Sequence, residues 1–335
     1  MTHNRIFHLL CGILAVLCPV LILASCSSAS ASSGSTKKSS TSQAEKKETV
    51  RPNTPNVHMP EASGTAVLGA EPLIVDVSHT DQGYIMAQYT GDADKANIQI
   101  DGPDGINYKY FITSGPYVTM PLTSGDGSYT ISTYENITGD KYATLYSETI
   151  DVKLESDFIP YLYPNQYVDF TPESKAVKTA QEQVKTATSD LDAVADIYYY
   201  VTETISYDEE KAKTVPTGYL PDLDETLTSC KGICFDYASL MAAMLRSQDI
   251  PAKLEIGYSG KVYHAWISVY IKDVGWIDNI IEFDGKSWKR MDPTFASSNK
   301  NSKKILKYIG DGSNYTVRYT RCLLYTSDAA DEGLG

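Results

Sequence analysis

Three short segments late in the chain carry side chains that could make and break acyl bonds. In the run Cys230-Lys231-Gly232-Ile233-Cys234-Phe235-Asp236-Tyr237-Ala238-Ser239-Leu240, the apolar positions Leu240, Met241, Met244 and Leu245 recur at helical spacing. Pro251 bounds the run downstream, so Cys234 falls at a helix N-terminus. Unpaired backbone N–H groups and the positive end of the helix dipole favour a thiolate there, which predicts ionisation below the free-thiol value of ~8.5. Gly232 would let the preceding loop turn tightly. Further on, Val262 to Tyr270 alternates, with Ala265, Ile267 and Val269 on one face and His264, Trp266 and Ser268 on the other, so His264 is expected to face a cleft. No histidine other than His264 follows His79. A third segment, Trp288-Lys289-Arg290-Met291-Asp292-Pro293, sets Trp288, Arg290 and Asp292 on one face and stops at proline, with Asp292 able to reach the outer nitrogen of His264.

Gly-x-Cys-x-Asp-x-Ala at a helix start, His-Ala-Trp on a strand and Met-Asp-Pro-Thr-Phe after the next strand come in an order that resembles the transglutaminase-like superfamily over roughly residues 185 to 300. The resemblance implies a papain-like α+β core in which a helix carries the nucleophile and an antiparallel sheet carries the other two groups. It further implies Cys234 as nucleophile, His264 as general base and acid, and Asp292 as the carboxylate that fixes the imidazole tautomer. The thiolate would attack an amide carbonyl, His264 would protonate the departing amine, and an amine or water would then release the thioester. The Cys234 backbone N–H and one further donor, with Tyr219 as the candidate, would meet the oxyanion. Trp266 and Trp288 either line a substrate groove or simply pack. Asp236 reads as a helix cap. Cys230 could form a reversible disulfide with Cys234 or share a metal with His264, although two thiols and one imidazole fall short of a closed zinc shell. Neither a metal nor a cofactor is implied, and no acidic loop has calcium-ligand spacing.

The elements that must hold these groups begin with two helical patterns, Ser174 to Thr186 and Leu191 to Thr204, the second with Ser189 as N-cap. A loop marked by Pro216, Gly218 and Pro221 then leads to the cysteine segment. Upstream, seven short β-rich runs are separated by Gly, Asp, Asn and Ser: Leu73 to Val77, Tyr84 to Tyr89, Asn97 to Ile100, Tyr108 to Ile112, Tyr117 to Leu122, Tyr129 to Tyr134 and Tyr142 to Ser147. Their spacing predicts an all-β immunoglobulin-like sandwich over 67–155, ahead of a transglutaminase-like domain over 156–320. The many tyrosines of the sandwich could form a carbohydrate- or protein-binding face, but tyrosine is also a routine half-buried strand residue.

At the N-terminus, Arg5 precedes an apolar run from Leu9 to Leu23 that is short for a bilayer span and reads as a signal peptide. The run ends in Leu23-Ala24-Ser25-Cys26, which resembles the lipobox of bacterial lipoproteins and implies diacylglyceryl modification of Cys26. Residues 27–66, rich in Ser, Ala, Thr and Lys, are expected to be a disordered tether between membrane and domain. At the other end, 321–335 resembles translated sequencing-adaptor read-through and is set aside as a non-native tail, Cys322 included.

The net charge of −13 argues against a nucleic-acid partner, because phosphate binding needs clustered Lys and Arg. With Cys11 and Cys18 in the signal segment and Cys26 in the lipobox, Cys230 and Cys234 remain for the folded domains, too few for a disulfide framework. The reading is an exported, lipid-anchored enzyme on the outer face of a bacterial cell membrane. It would act on peptide or isopeptide bonds of a protein or peptide substrate, with cell-wall contact through the sandwich. The alternative is an inactive adhesion protein that binds through the sandwich.

Overall fold

The computed structural model of the chain describes residues 49–259, 262–277, 282–283, 288–289 and 315–319. The signal segment, Cys26, Asp292 and the 321–335 tail lie outside these residues.

The N-terminal half is β-structure. Strands β1 (Val67–Ala70), β2 (Leu73–Asp76), β3 (Tyr84–Tyr89) and β6 (Val118–Pro121) make one four-stranded antiparallel sheet, in the order β1-β2-β3-β6. A second combines β4 (Ala96–Asp101), β5 (Asn107–Ile112), β7 (Gly127–Thr138) and β8 (Lys141–Val152) in the order β5-β4-β7-β8. Period-two alternation drives both sheets: Tyr108, Tyr110 and Ile112 turn inward from β5 while Asn107, Lys109 and Phe111 turn out. Leu73, Val75 and Ile85 of the first sheet join Ile98, Tyr110 and Ile131 of the second in one apolar cluster. All seven expected strands are present. Val67–Ala70 adds an eighth, and β7 and β8 run to 12 residues each, well past the expected bounds. Register shifts at Thr133/Tyr134 and Asn136/Thr138 bend the β7–β8 hairpin toward its tip.

The C-terminal half mixes helices with antiparallel sheet. Helices α1 (Lys175–Gln183) and α2 (Asp190–Thr204) match the two expected helices, and Ser189 Oγ accepts the Asp192 N–H at 3.1 Å as the N-cap predicts. Two short helices, α3 (Glu209–Thr214) and α4 (Leu223–Ser229), occupy what the sequence suggested was loop, each started by an aspartate cap, Asp208 and Asp222. A minimal parallel pair, β9 (Ser206–Tyr207) and β10 (Lys231–Gly232), flanks helix α5 (Cys234–Arg246). Nearly every α5 residue is buried, against α1, α2 and the sheet formed by β11 (Ala252–Ser259), β12 (Val262–Ile271), β13 (Gly275–Ile277) and β16 (Tyr315–Tyr319), ordered β13-β12-β11-β16. A two-stranded piece, β14 (Glu282–Phe283) with β15 (Trp288–Lys289), completes the described strands. No helix among the described residues is long and apolar enough to cross a membrane.

One expectation needs correction. Residues 49–66, assigned to the tether by their polar composition, are docked along the folded body. The Arg51 backbone N–H donates to Ala187 O (2.8 Å) and its Nε to Asp190 Oδ1 (2.5 Å). Asn56 N–H donates to Ser247 O (2.9 Å), and Asn56 Nδ2 and His58 Nε2 both reach the Asp249 carboxylate. Farther on, Glu61 N–H donates to the Tyr84 hydroxyl (3.1 Å), so a single extended strap ties α1, α2 and the end of α5 to the β-rich half. Polar residues dock here because each meets a carbonyl or carboxylate that a helix end leaves open. Removing residues 1–64, rather than 1–47, is expected to lower stability by about 2–3 kcal/mol, given net hydrogen-bond contributions of about 0.5–1.5 kcal/mol each. Urea midpoints of the two truncated chains test this, and equal midpoints would show that the strap carries no stability.

Candidate active site

Cys234 is the first residue of α5, and Ile233 is its N-cap. An isoleucine has no acceptor for the open N–H groups, so the cap runs in one direction: Asp236 at the third helical position accepts the Ile233 N–H at 2.7 Å. Asp236 is fully buried. Its charge is met by Lys211 Nζ at 2.8 Å and by the Tyr219 hydroxyl, and the same ammonium stands 4.5 Å over the Tyr219 ring. α3, the Pro216–Pro221 loop and α5 are thus pinned to one carboxylate two residues from the thiol.

Gly232 acts differently from its expected role. It lies in β10 without a left-handed φ, so it makes no special turn. A Cβ there would stand 2.7 Å from Asp236 Cβ and 3.2 Å from Asp236 Oδ2. Glycine is required because the carboxylate must approach the backbone. Gly232→Ala should cost about 1–3 kcal/mol through this clash. Lys211→Met, by leaving a buried carboxylate without its cation, should cost about 3 kcal/mol. Chemical denaturation measures both, and wild-type midpoints would show that the site tolerates an unpinned helix start.

The thiol departs from expectation as well. Cys234 keeps some accessible surface, but burial of its sulfur pushes the thiol up, and the Asp236 charge adds to the rise. Backbone N–H groups of Ala265, Phe235 and Cys234 itself act the other way and do not overcome it. Desolvation therefore outweighs the helix terminus. Alkylation of Cys234 by iodoacetamide should rise with pH through and beyond ~8.5, since the raised thiol stays protonated until the medium is more alkaline than a free cysteine requires. An inflection near pH 6, read by intact mass, would refute this balance of forces.

His264 is the third residue of β12, buried and opposite Gly257 of β11. β12 packs against α5, and the Ala265 backbone is among the groups that pull the Cys234 thiol down, which places the histidine strand beside the cysteine helix. The face carrying His264, Trp266 and Ser268 is covered and not an open cleft: these residues are 8%, 2% and 0% exposed, and Ser268 Oγ donates to Glu255. Trp266 is accordingly a packing residue and not a groove wall. Trp288 of β15 pairs with Phe283 of β14, and its side chain lies outside the described residues, as Asp292 does.

Tyr219 cannot serve as the second oxyanion donor, because its one proton is committed to Asp236. A different tyrosine borders the cysteine segment. Tyr207 pairs with Gly232 across β9–β10, and burial, helped by Cys234, Glu209 and Asp236, raises its pKa to about 12, so it stays a neutral donor. Its place beside the cysteine depends on a two-residue parallel bridge that no periodicity announces. Cys230 ends α4 in a left-handed conformation with its thiol directed to Leu227 O (3.5 Å), and both it and Cys234 are free thiols.

Residues 177–279 match the family model of the transglutaminase-like superfamily. A protein of Bacillus subtilis (strain 168), "Uncharacterized protein YebA", is 27% identical over 151 residues, covering 38% of this chain and 20% of its own length, so the chain spans about a fifth of that relative. Among solved structures, a candidate cysteine protease from Cytophaga hutchinsonii is 18% identical, with a TM-score of 0.31 over 58% of this chain and 77% of its own. A candidate protease from Parabacteroides distasonis is 12% identical, with a TM-score of 0.27 over 59% and 60%. Red sea bream transglutaminase is 11% identical, with a TM-score of 0.23 over 63% and 48%.

Proposed function

We propose that this transglutaminase-like domain is a working cysteine acyl-transfer centre, acting on peptide or isopeptide bonds at the cell envelope of a bacterium. One observation carries the reading: Cys234 opens a buried helix that packs directly against the strand bearing His264, within the residues that match the transglutaminase-like family model. Structural cysteines are ordinarily inert and buried among apolar groups. Here the cysteine opens a helix that packs against the strand of a buried histidine.

A raised thiol pKa favours one version of the chemistry. The resting nucleophile is a neutral thiol, and His264 removes its proton as the S–C bond forms, in the manner of an activated serine and not of a standing thiolate–imidazolium pair. The proton then passes from His264 to the departing amine, leaving a Cys234 thioester, and Asp292 holds the imidazole in the required tautomer. Water or an amine resolves the thioester with His264 as base. Tyr207, neutral at ordinary pH, is the side-chain candidate for the oxyanion.

Export and lipid anchoring through Cys26, with residues 27–48 as tether, remain part of this proposal on the strength of the N-terminal sequence. So does the immunoglobulin-like assignment of the β-rich half, which its two four-stranded antiparallel sheets support.

The test assays fluorescent-amine incorporation into casein and cleavage of the same casein. Wild type should show one of the two activities. Cys234→Ala and His264→Ala should each lower it by about 10³-fold or more, with Asp292→Ala somewhat milder. Equal rates in wild type and Cys234→Ala, or no acyl-enzyme mass with an activated ester, would overturn the enzyme reading in favour of binding through the β-rich half.

A further inference from the structure

Between the β-rich half and the 164–171 and 217–220 segments lies a cleft of about 1380 Å³ that the catalytic reading does not use. Its floor is the outward face of the β5-β4-β7-β8 sheet, presenting Asn97, Gln99, Lys109, Phe111, Tyr134 and Tyr142. The bulges in β7–β8 curl the hairpin tip over this face. Tyr142, on the strand farthest from β5, is thereby brought to 6.4 Å from the Phe111 ring, and the sheet becomes concave. Lys95 lies 5.4 Å over the other ring of that pair, Phe111. Opposite, Gln166 donates its Nε2 to Phe111 O (2.7 Å), while its Oε1 has no partner. The far wall is Thr217, Gly218 and Leu220, the loop whose Tyr219 holds Asp236.

We infer that this cleft binds a neutral polysaccharide chain, which deepens the proposed cell-wall contact and does not depend on Cys234 being catalytic. Four features select that occupant. The volume exceeds the ~300–1,000 Å³ of small-molecule sites and suits several linked sugar rings. Phe111, Tyr134 and Tyr142 are half-exposed, offering ring faces to the C–H faces of pyranoses. Gln99 Nε2 donates to Asn97 Oδ1 (2.9 Å) and Gln166 Nε2 to Phe111 O (2.7 Å), which leaves each of these amide nitrogens a second N–H for the oxygens of hydroxyl and acetamido groups. The charged lining residues are Lys95 and Lys109 against Asp140 and Asp169, so the cleft has no net charge to attract a polyanion to a chain of net charge −13. Polypeptide capture by strand addition is less suited, because the Gln166 side chain already occupies the Phe111 carbonyl on the β5 edge.

Titration calorimetry of the full chain with the β-1,4-linked N-acetylglucosamine hexamer tests the inference, with the β-1,4-linked glucose hexamer as second ligand. At least one should bind with a Kd below ~1 mM, corresponding to about −4.1 kcal/mol. Phe111→Ala, Tyr142→Ala and Gln99→Ala should each weaken binding about 10-fold without lowering the melting temperature, and Cys234→Ala should bind as wild type does. Binding of both sugars would place recognition in ring stacking, and preference for the first would place it in the carboxamides. Binding of neither up to 10-fold above that ~1 mM, or affinity unchanged in all three cleft variants, overturns it. So does capture of carboxymethylated casein at this cleft in place of the hexamers.

Discussion

A buried carboxylate sets the geometry of this protein. Asp236 would be costly to bury alone, and the fold surrounds it with a backbone N–H, an ammonium and a phenol, drawn from three separate stretches of chain. Each partner is thereby fixed: Ile233 as the last residue before the helix, Lys211 on α3 and Tyr219 on the loop before α4. Cys234 lies between Ile233 and Asp236 in sequence, so its backbone cannot shift without breaking this set. The pairing that keeps the Asp236 charge tolerable also holds the Cys234 peptide in place.

The rest of the domain supports that point from the other end of α5. Arg246, fully buried in the last turn, donates to Ala252 O and to Tyr163 O, joining the helix to the start of β11 and to the linker from the β-rich half. The strap then crosses Ser247, Gln248 and Asp249 on its way to Tyr84. The helix is consequently held at its N-terminus by charge and at its C-terminus by carbonyl hydrogen bonds, with apolar burial between. A helix immobilised in this way can present a reactive atom to a strand with little freedom of approach.

What the sequence revealed, and what it concealed, divides along physical lines. Cys234 at a helix start, His264 on a strand and the Ser189 cap were legible because each follows from local periodicity or local hydrogen bonding. The roles of Lys211, Tyr219 and Tyr207 were not, because they arise from pairings between stretches 8 to 25 residues apart that meet at a two-residue bridge and a buried charge. Residues 49–66 were misread for a related reason. Low hydrophobicity predicts disorder when a segment must stabilise itself, whereas this one attaches to helix ends that another part of the chain provides. Gly232 was singled out correctly, but for a turn, and its real neighbour, the Asp236 carboxylate, is visible only in three dimensions.

The opposition between the helix terminus and desolvation at Cys234 bears on how such a site could work. Backbone groups of Ala265, Phe235 and Cys234 pull the thiol pKa down, yet burial outweighs them and holds it raised. In the acyl transfer proposed here, negative charge leaves sulfur for the carbonyl oxygen as the S–C bond forms. Backbone N–H groups already fixed at the helix start can meet that oxygen without moving, and no water need be reorganised to receive the charge. A thiol held neutral until a carbonyl arrives is also less exposed to oxidation, since the thiolate is the species that oxidants attack. The same burial that slows the free thiol would therefore protect it from oxidants, and in the proposed reaction it leaves the step of activation to His264 and the substrate together.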